Sequence, residues 1–252
     1  EFTVEYKFDG LTVCLTYEEG RFVRATTRGN GTEGEDVTAQ ALTVRSFPLA
    51  IPYRGTLEVR GEAVIRLPVL EEYNRTHPDE PLKNARNAAA GAIRNLDPKV
   101  TASRRPEIIF YDINYMSVAP VSSQQEAVSR LREWGFQTFP YFRVCGSFDE
   151  VRAAVDEIEV GRKSLDVLTD GAVIKTDSEA TRRLMGYTDK FPRWAIAYKF
   201  EAEEAEATVE RVIWQVGRTG KLTPLAFITP VELAGATVRR AALNNFGDLT
   251  RK

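Results

Sequence analysis

The sequence has few of the residues that build metal centres, disulfide frameworks or histidine-based catalytic sites. Its 252 residues include two cysteines, Cys14 and Cys145, and one histidine, His77. Two isolated cysteines exclude a disulfide framework and a zinc site, and they fit a reducing, cytoplasmic compartment. Cys14 lies in an apolar run and is expected to be a buried structural thiol. His77 lies in a polar, proline-flanked loop, so we expect no Ser-His-Asp arrangement around it.

Long apolar runs are also absent, and neither sign of charge dominates. No segment reaches the roughly 18 consecutive apolar residues of a membrane-spanning helix, so no membrane partner is expected. Nothing near Glu1 resembles a signal peptide, and the chain starts without Met in strand-like sequence, which predicts a piece excised from a longer protein. The net charge is −2, but residues 207–252 carry a balance of +4 and residues 1–206 one of −6. The basic end permits a nucleic-acid surface there.

What the sequence does contain is strand-like and helix-like periodicity without a regular βαβ repeat, which indicates the α+β class. Strands are predicted over 4–9, 11–17, 22–27, 57–64, 108–115, 171–176 and 195–201. Helices are predicted over 69–75, 86–95, 123–134 and 148–161. An acidic stretch at 201–206 predicts a domain boundary. Beyond it, short strand-like runs at 207–215, 222–228 and 236–238 predict the start of a small β-barrel, with too few strands left to close it.

The most informative segment is residues 5–10, where Lys7 lies between two acids on a strand that ends in glycine. In an extended strand the intervening apolar side chains are buried on one side, and Glu5, Lys7 and Asp9 form a row on the other. A lysine in suitable surroundings acts as a nucleophile. From these six residues alone, a half-buried strand with a solvated charged face is the favoured alternative.

Two later strands repeat the same arrangement. Val173 and Lys175 share one side of the strand at 170–175, where Gly171 allows close approach of another group, and Lys199 shares a side with two alanines. Small residues alternating with a lysine suit the wall of a pocket for a flat ring and a phosphate. Each strand alone favours an amphipathic surface strand, but three such strands in one chain favour the pocket.

Two further segments place arginines next to small residues. Residues 28–36 form a glycine-rich loop headed by Arg28, and backbone amides in such a loop can approach a phosphate. The loop lacks the dinucleotide-binding fingerprint, and most glycine-rich turns are only turns. Arg86 and Arg94 lie eight residues apart in an alanine-rich helical run, which places both guanidinium groups on roughly one face. A solvated basic face is the alternative for that helix.

Together these segments closely resemble the adenylation domain of NAD⁺-dependent bacterial DNA ligases. The matching pieces, in the family's order, are Glu5-Tyr-Lys-Phe-Asp-Gly10, Arg28-Gly-Asn-Gly-Thr-Glu-Gly-Glu-Asp-Val-Thr38, Val59-Arg-Gly-Glu62, Ala85-Arg-Asn-Ala-Ala-Ala-Gly91, Asp170-Gly-Ala-Val-Ile-Lys175 and Trp194-Ala-Ile-Ala-Tyr-Lys-Phe200. Val216-Gly-Arg-Thr-Gly220 resembles the opening of that family's OB-fold. Asn30, Ala85 and Thr169 stand where the family commonly has Asp, Pro and an apolar residue.

The resemblance implies that Lys7 is the nucleophile that attacks the α-phosphorus of NAD⁺, releases nicotinamide mononucleotide and forms a lysine-AMP phosphoramide. Implied contacts to the adenine, ribose and phosphate of the cofactor are Glu5, Lys175, Tyr111, Val173, Glu62, Arg28, Arg94 and Lys199. Further family positions are Asp9, Gly10, Arg86, Arg162 and Asp170, and Arg218 is an expected DNA contact. Lys175, Lys199 and the arginines are expected to favour the neutral amine of Lys7 through like-charge repulsion.

By the same resemblance, residues 1–203 are a nucleotidyltransferase domain of antiparallel sheets and helices, and residues 204–252 are an incomplete OB-fold. The family's N-terminal helical subdomain is expected to be missing. The implied cofactors are NAD⁺ as AMP donor and Mg²⁺ or Mn²⁺, with no zinc in this part of the protein. The implied partner of this monomer is nicked double-stranded DNA in replication and repair. The alternatives are an ATP-dependent polynucleotide ligase or capping-type nucleotidyltransferase, and a catalytically inert DNA-binding module.

Overall fold

The structure is a computed structural model that describes residues 1–29, 33–188, 191–200, 204–233, 236–243 and 247. Asn30 and residues 201–203, where the sequence predicts the domain boundary, lie outside the described residues. The chain divides into two compact units, residues 1–200 and residues 201–252, and each is described by itself. Within the described ranges, no helix has both the length and the apolar character needed to cross a lipid bilayer.

The first unit contains most of the strands. They are β1 (Phe2–Phe8), β2 (Leu11–Glu18), β3 (Arg21–Thr27), β4 (Thr56–Val64), β5 (Glu107–Met116), β6 (Arg143–Cys145), β7 (Thr169–Thr176) and β8 (Ala195–Lys199). The predicted strands of this unit are confirmed to within a few residues, apart from the end of the last one at residue 201, which is not described. The three-residue strand β6 was not predicted because it is too short to show alternation.

Helices lie between these strands. They are α1 (Thr38–Ala41), α2 (Leu67–Thr76), α3 (Ala85–Ile93), α4 (Pro98–Arg104), α5 (Gln124–Glu133), α6 (Phe148–Gly161) and α7 (Glu179–Met185), and a 3₁₀ turn follows α6 at Arg162–Ser164. The four predicted helices are confirmed as α2, α3, α5 and α6. Helices α1, α4 and α7 were missed because each has at most seven residues, two turns or fewer, and shows little helical periodicity.

The starts of α5 and α6 follow from local chemistry. Ser123 and Ser147 are the N-cap residues, and their hydroxyls accept hydrogen bonds from the backbone amides of Glu126 and Glu150. A Ser followed three residues later by Glu is the capping-box pattern. Each cap of this kind stabilises its helix by about 1 kcal/mol. The backbone amides of Gln124 and Gln125 join the start of α5 to Asp177, the residue after β7.

One four-stranded antiparallel sheet carries the three lysine-bearing strands, in the order β6-β1-β7-β8. Between β1 and β7, Glu5 is paired with Val173 and Lys7 with Gly171, and between β7 and β8, Gly171 is paired with Lys199. Directly paired residues in an antiparallel sheet point to the same side. The three strands therefore present their lysines on one side of this sheet, which we call the lysine face.

The opposite side of the same sheet is part of a hydrophobic core. Val4, Tyr6 and Phe8 are buried there, as the alternation predicts, and they pack against Ala154 and Ile158 of α6. Burial of an apolar side chain of this size contributes roughly 1.5–3 kcal/mol. This packing fixes which way β1 faces, and with it the orientation of Lys7.

A second antiparallel sheet has the order β3-β2-β4-β5 and packs its own core on one side. Cys14 lies on the other side, paired with Arg60 across β4, and is only half buried. The expectation of a buried thiol at Cys14 is wrong because the strand alternates, and position 14 points away from the core. The buried cysteine is Cys145 in β6.

Two of the residues that interrupt the ladders of these sheets lie beside Lys7 and Lys175. Asp170 has no partner on β1, because Lys7 is paired with Gly171 and Phe8 with Thr169. Tyr111 has no partner on β4, because Arg60 is paired with Asp112 and Gly61 with Phe110. Each is the extra residue of a β-bulge, a feature that redirects side chains and is common beside active sites.

The described residues of the second unit form three antiparallel strands in the order β11-β10-β9. They are β9 (Val209–Val216), β10 (Leu222–Leu233) and β11 (Ala236–Ala242). The turn between β9 and β10 has Gly220 at a φ of 81°, in the left-handed region that glycine favours. Strands were predicted in all three places, and β10 and β11 extend beyond the predicted ends.

Candidate active site

Lys7 lies in the middle of the lysine face, and its ammonium group is held by the bulged residue Asp170. The Nζ atom of Lys7 donates hydrogen bonds of 2.7 and 3.0 Å to the two carboxylate oxygens. Lys199 Nζ lies 3.7 Å from the same carboxylate. Regular alternation would direct Asp170 away from Lys7, so the bulge is what brings the acid to the nucleophile candidate.

The surroundings of Lys7 differ from the expectation that cations dominate them. Its nearest charge is the carboxylate of Asp170, 2.7 Å away. Lys175 faces Thr3, four positions from Lys7 along β1, and its charge is balanced by other acids. Repulsion between Lys175 and Lys7 stays a prediction, since both line one cavity, and Lys199 lies 3.7 Å from the carboxylate that Lys7 also contacts.

A cavity of about 250 Å³ opens beside Lys7 on the lysine face. At its inner end the ammonium of Lys175 forms an ion pair with Glu5 and lies 3.6 Å from Asp112. The same ammonium lies 5.0 Å from the ring centroid of Tyr111. Burial raises the pKa of Glu5, and the charge and hydrogen bond of Lys175 partly offset that rise. Val173 also lines the cavity. The Tyr111 ring, the Glu5 carboxylate and the Lys175 ammonium thus surround a space that suits a planar aromatic base.

A second, larger cavity of about 660 Å³ adjoins the first. Lys7, Thr12, Arg28 and Glu62 line both cavities, so Lys7 lies where they meet. The additional wall carries Arg86 and Arg94, Gly10 between β1 and β2, and the glycine-rich loop, which contributes Gly29 and Gly34 together with the acids Glu33 and Glu35. The inner cavity thus suits a base, and the outer one suits anionic groups.

Two of the three arginines that line the outer cavity are each held by an acid. Arg86 lies 2.9 Å from Asp9 at the end of β1. Arg94 donates two hydrogen bonds, of 2.6 and 2.8 Å, to the carboxylate of Glu35 in the glycine-rich loop. Both arginines lie on one side of α3 and face the cavity, as their spacing predicts. Glu35 was not identified from the sequence, although its position in a loop facing a basic helix was a usable signal.

Glu62 lies at the junction of the cavities and accepts a hydrogen bond of 3.1 Å from the Thr12 hydroxyl. Burial raises the pKa of Glu62 to about 7, even though Thr12, the charge of Lys7 and the backbone amide of Gly10 lower it. A half-protonated carboxyl at neutral pH can donate or accept a hydrogen bond, which suits a site that contacts a hydroxyl.

We expect the Glu62→Gln variant to be more stable than the native chain at pH 8. The raised pKa means that the folded protein resists losing the Glu62 proton, so stability falls as pH rises from the reference value of 4.5 towards about 7. The carboxamide has no such loss, and the gain at pH 8 is expected to reach about 3 kcal/mol. Urea unfolding at pH 5 and pH 8 measures it. A variant with the same pH dependence as the native chain would contradict the assignment.

Two predicted site residues lie elsewhere. Arg162 follows α6, and its guanidinium lies 4.8 Å from the ring centroid of Phe200, outside the lining of both cavities. Arg218 lies in the exposed turn between β9 and β10 of the second unit. Thr12 and Asp112 belong to the site but were not predicted. Alternation shows which residues of a strand share a face, but it does not show which of those polar residues will contact the other sheet.

The residues around Lys7 do not form a metal cage. Among the described residues, no group of three or more His, Cys, Asp or Glu side chains could hold an ion. Asp9 and Asp170 face arginine and lysine partners at 2.9 and 2.7 Å, and Glu35 is held by Arg94. Since each of these carboxylates already has a cation, we assign no step of the chemistry to a protein-held metal, and Mg²⁺ or Mn²⁺ stays a prediction.

Comparison with known families matches nearly the whole chain. The model of the NAD-dependent DNA ligase adenylation domain matches residues 1–203. The model of the NAD-dependent DNA ligase OB-fold domain matches residues 206–252. The first match covers all the elements that build the two cavities, and the second covers β9, β10 and β11.

Similar curated proteins carry the name DNA ligase. The one from Finegoldia magna is 53% identical over 252 residues, and the one from Alkaliphilus metalliredigens is 50% identical over 252 residues. Each comparison covers 100% of this chain but only 38% of the relative, so the chain spans well under half of their length. A solved structure described as "Pmar-Lig_PreS3" matches with a TM-score of 0.54 at 13% identity, covering 100% of this chain and 54% of that one, which shows a shared fold.

Proposed function

Because this chain belongs to the NAD-dependent DNA ligase family, we propose that its first unit takes AMP from NAD⁺ onto Lys7. We assign residues 1–203 to the adenylation domain and residues 204–252 to part of the OB-fold. One observation carries the proposal: the amine of Lys7 lies where a base-sized cavity meets an arginine-lined cavity. A nucleotide with its base in the first cavity and its phosphates in the second brings its α-phosphorus to that amine.

The covalent step needs a neutral amine. The ammonium of Lys7 loses one proton, and Asp170, 2.7 Å away, is the base in position to receive it. The nitrogen lone pair then attacks the α-phosphorus. A phosphorus–nitrogen bond forms, the phosphorus–oxygen bond to the second phosphate breaks, and nicotinamide mononucleotide leaves with that oxygen. Loss of a second proton from the nitrogen completes the phosphoramide.

The inner cavity supplies base recognition. The carboxylate of Glu5 accepts hydrogen bonds and the ammonium of Lys175 donates them, which complements the amino group and the ring nitrogen of adenine. The Tyr111 ring offers a stacking surface, and Val173 closes the opposite wall. Glu62 and Thr12 are placed to contact the ribose between base and phosphate.

The outer cavity supplies charge for the phosphates. Arg28, Arg86 and Arg94 line it, and Lys199 lies beside Lys7 through their shared Asp170. Fixed cations stabilise the charge that develops on the phosphoryl oxygens during transfer. Arginine forks also fix the orientation of the phosphates by paired hydrogen bonds.

The later steps belong to the longer proteins that this chain resembles. There, AMP passes from the lysine to a DNA 5′-phosphate, and the 3′-hydroxyl of the nick displaces it. Nicked double-stranded DNA is the proposed partner, with Arg218 among its contacts, a monomer as the proposed assembly and the cytoplasm as the proposed location. Mg²⁺ or Mn²⁺ is proposed to accompany the phosphates, since magnesium commonly binds through substrate phosphates and water.

The test is intact-protein mass spectrometry after incubation with Mg²⁺ and either NAD⁺ or ATP. We expect one added AMP with NAD⁺ and none with ATP. An adduct from ATP alone would assign the chain to the nucleoside-triphosphate branch. No adduct from either donor, together with retained DNA binding, would favour an inert DNA-binding module.

A further inference from the structure

The residue that forms one wall of the base cavity, Tyr111, sits in an irregular piece of backbone. Tyr111 is the extra residue of a bulge in β5 and has no paired residue on β4, so its carbonyl lies outside the regular ladder of hydrogen bonds between the two strands. An unpaired carbonyl next to a buried ring is costly unless another group donates a hydrogen bond to it. The bulge therefore requires a specific donor if the ring is to keep one position.

Gln124, at the start of α5, provides that donor. Its side chain is fully buried, and its Nε2 atom donates a hydrogen bond of 2.7 Å to the Tyr111 carbonyl. Its Oε1 atom accepts a hydrogen bond of 2.9 Å from the guanidinium of Arg182 in α7. Both ends of one buried amide are thus occupied, which fixes the amide in a single orientation.

Arg182 carries the connection to the other sheet. Only 4% of this residue is exposed, and its Nε atom donates a hydrogen bond of 2.6 Å to the carbonyl of Thr176, the residue after Lys175. Its position is fixed by a hydrogen bond of 2.7 Å to Glu179 and by the Trp194 ring, whose centroid lies 4.4 Å from the guanidinium. Arg182 also contributes a positive charge that lowers the pKa of Glu5.

We propose that Gln124 and Arg182 are a positioning pair that sets base selectivity, by holding Tyr111 and the end of β7 beside Lys175 at a fixed separation. The proposal rests on the proposed function. Neither residue touches the base. The chain of hydrogen bonds runs from the Tyr111 carbonyl through Gln124 and Arg182 to the Thr176 carbonyl, so it joins the two sheets on either side of the base cavity.

A fixed separation matters because the base is read by donors and acceptors. Adenine presents an amino group as donor and a ring nitrogen as acceptor, whereas hypoxanthine presents a carbonyl oxygen and a protonated ring nitrogen. Glu5 and Lys175 in fixed positions disfavour hypoxanthine. Its carbonyl oxygen would face the Glu5 carboxylate, its ring N–H would face the Lys175 ammonium, and neither contact is a hydrogen bond. If the two walls can move apart, hypoxanthine can shift and form some hydrogen bonds with the cavity. The selectivity for adenine then falls more than the maximal rate of AMP transfer.

The test compares rates of AMP addition from NAD⁺ with those from nicotinamide hypoxanthine dinucleotide, in the native chain and in Gln124→Glu. Glu keeps the size of the side chain and the acceptor for Arg182, but it replaces the donor to Tyr111 with a second acceptor. We expect selectivity for NAD⁺ to fall about tenfold and the KM for NAD⁺ to rise about tenfold, with the maximal rate changed far less. Arg182→Lys, which retains the charge, is expected to act in the same direction.

Gln125→Met is the matched control. Gln125 neighbours Gln124 on α5 and donates a side-chain hydrogen bond of 3.0 Å to Asp177, but it does not bond to Tyr111. We expect this variant to lose stability without losing selectivity. Native selectivity in folded Gln124→Glu and Arg182→Lys, or equal loss in Gln125→Met, would overturn the pair's role. An absent adduct in the native chain would instead count against the proposed function.

Discussion

The Lys7→Arg variant is expected to take up no AMP from NAD⁺, a fall in rate of at least about a thousandfold. Arginine preserves the positive charge and can still pair with Asp170, which now receives two hydrogen bonds from Lys7. A guanidinium group remains protonated at every relevant pH and has no lone pair free to attack phosphorus. Loss of the adduct therefore reports the missing nucleophile and not a collapsed site.

Intact-protein mass spectrometry measures this directly, with Lys83→Arg as the control. Lys83 is an exposed lysine before α3, and its replacement tests for adventitious modification of surface amines. The control is expected to take up AMP at the native rate. If Lys7→Arg still carried one AMP, peptide mapping would have to place it on Lys175 or Lys199, and the assignment of the nucleophile would be wrong.

The Lys175→Met variant is expected to lose about 3–5 kcal/mol of folding stability at neutral pH. The Lys175 side chain is 5% exposed and its ammonium lies between Glu5 and Asp112, so its removal leaves two acids in a buried site without their cation. Burial already raises the pKa of Glu5, and Lys175 is the largest influence that lowers it. Without the lysine, Glu5 is expected to take up a proton on folding.

This explanation fixes how the loss depends on pH. A raised pKa in the folded state means that stability falls as pH rises, so the defect of Lys175→Met is expected to shrink between pH 8 and pH 5. Adding Glu5→Gln to Lys175→Met removes one orphaned acid and is expected to recover part of the loss. Lys199→Met is the control on the same face. Because the Lys199 side chain is 70% exposed, its replacement is expected to change stability by less than about 1 kcal/mol.

Much of the fold could be predicted from local patterns. Alternation in β1, β7 and β8 identified which residues share a face, and the structure agrees at Glu5, Lys7 and Lys175. The four longest helices were predicted because their periodicity extends over two turns or more. What local patterns do not contain is the register between strands, and register decides that Lys7 is paired with Gly171 and Lys175 with Thr3.

The contacts of the site that local patterns do not predict depend on departures from regular structure. Asp170 reaches Lys7 because of a bulge, although strict alternation places it on the other face. Tyr111 was identified through family resemblance, but its bulge and its support by Gln124 come from packing between β5 and α5. A single sequence does not show where a β-bulge will form. The contacts that depend on these bulges are therefore seen only in the three-dimensional structure.

The shared lysine face also limits how the length of this chain can vary in evolution. On β1, β7 and β8, positions that face the cavity alternate with positions on the other side of the sheet. An insertion or deletion of one residue within such a strand turns every later side chain over. In β1 it would bury Lys7 in the core and expose Tyr6 in its place. Length differences among functional relatives are therefore expected in connecting segments away from the cavities, such as residues 77–84 between α2 and α3. In these strands they are expected only where a new bulge restores the alternation.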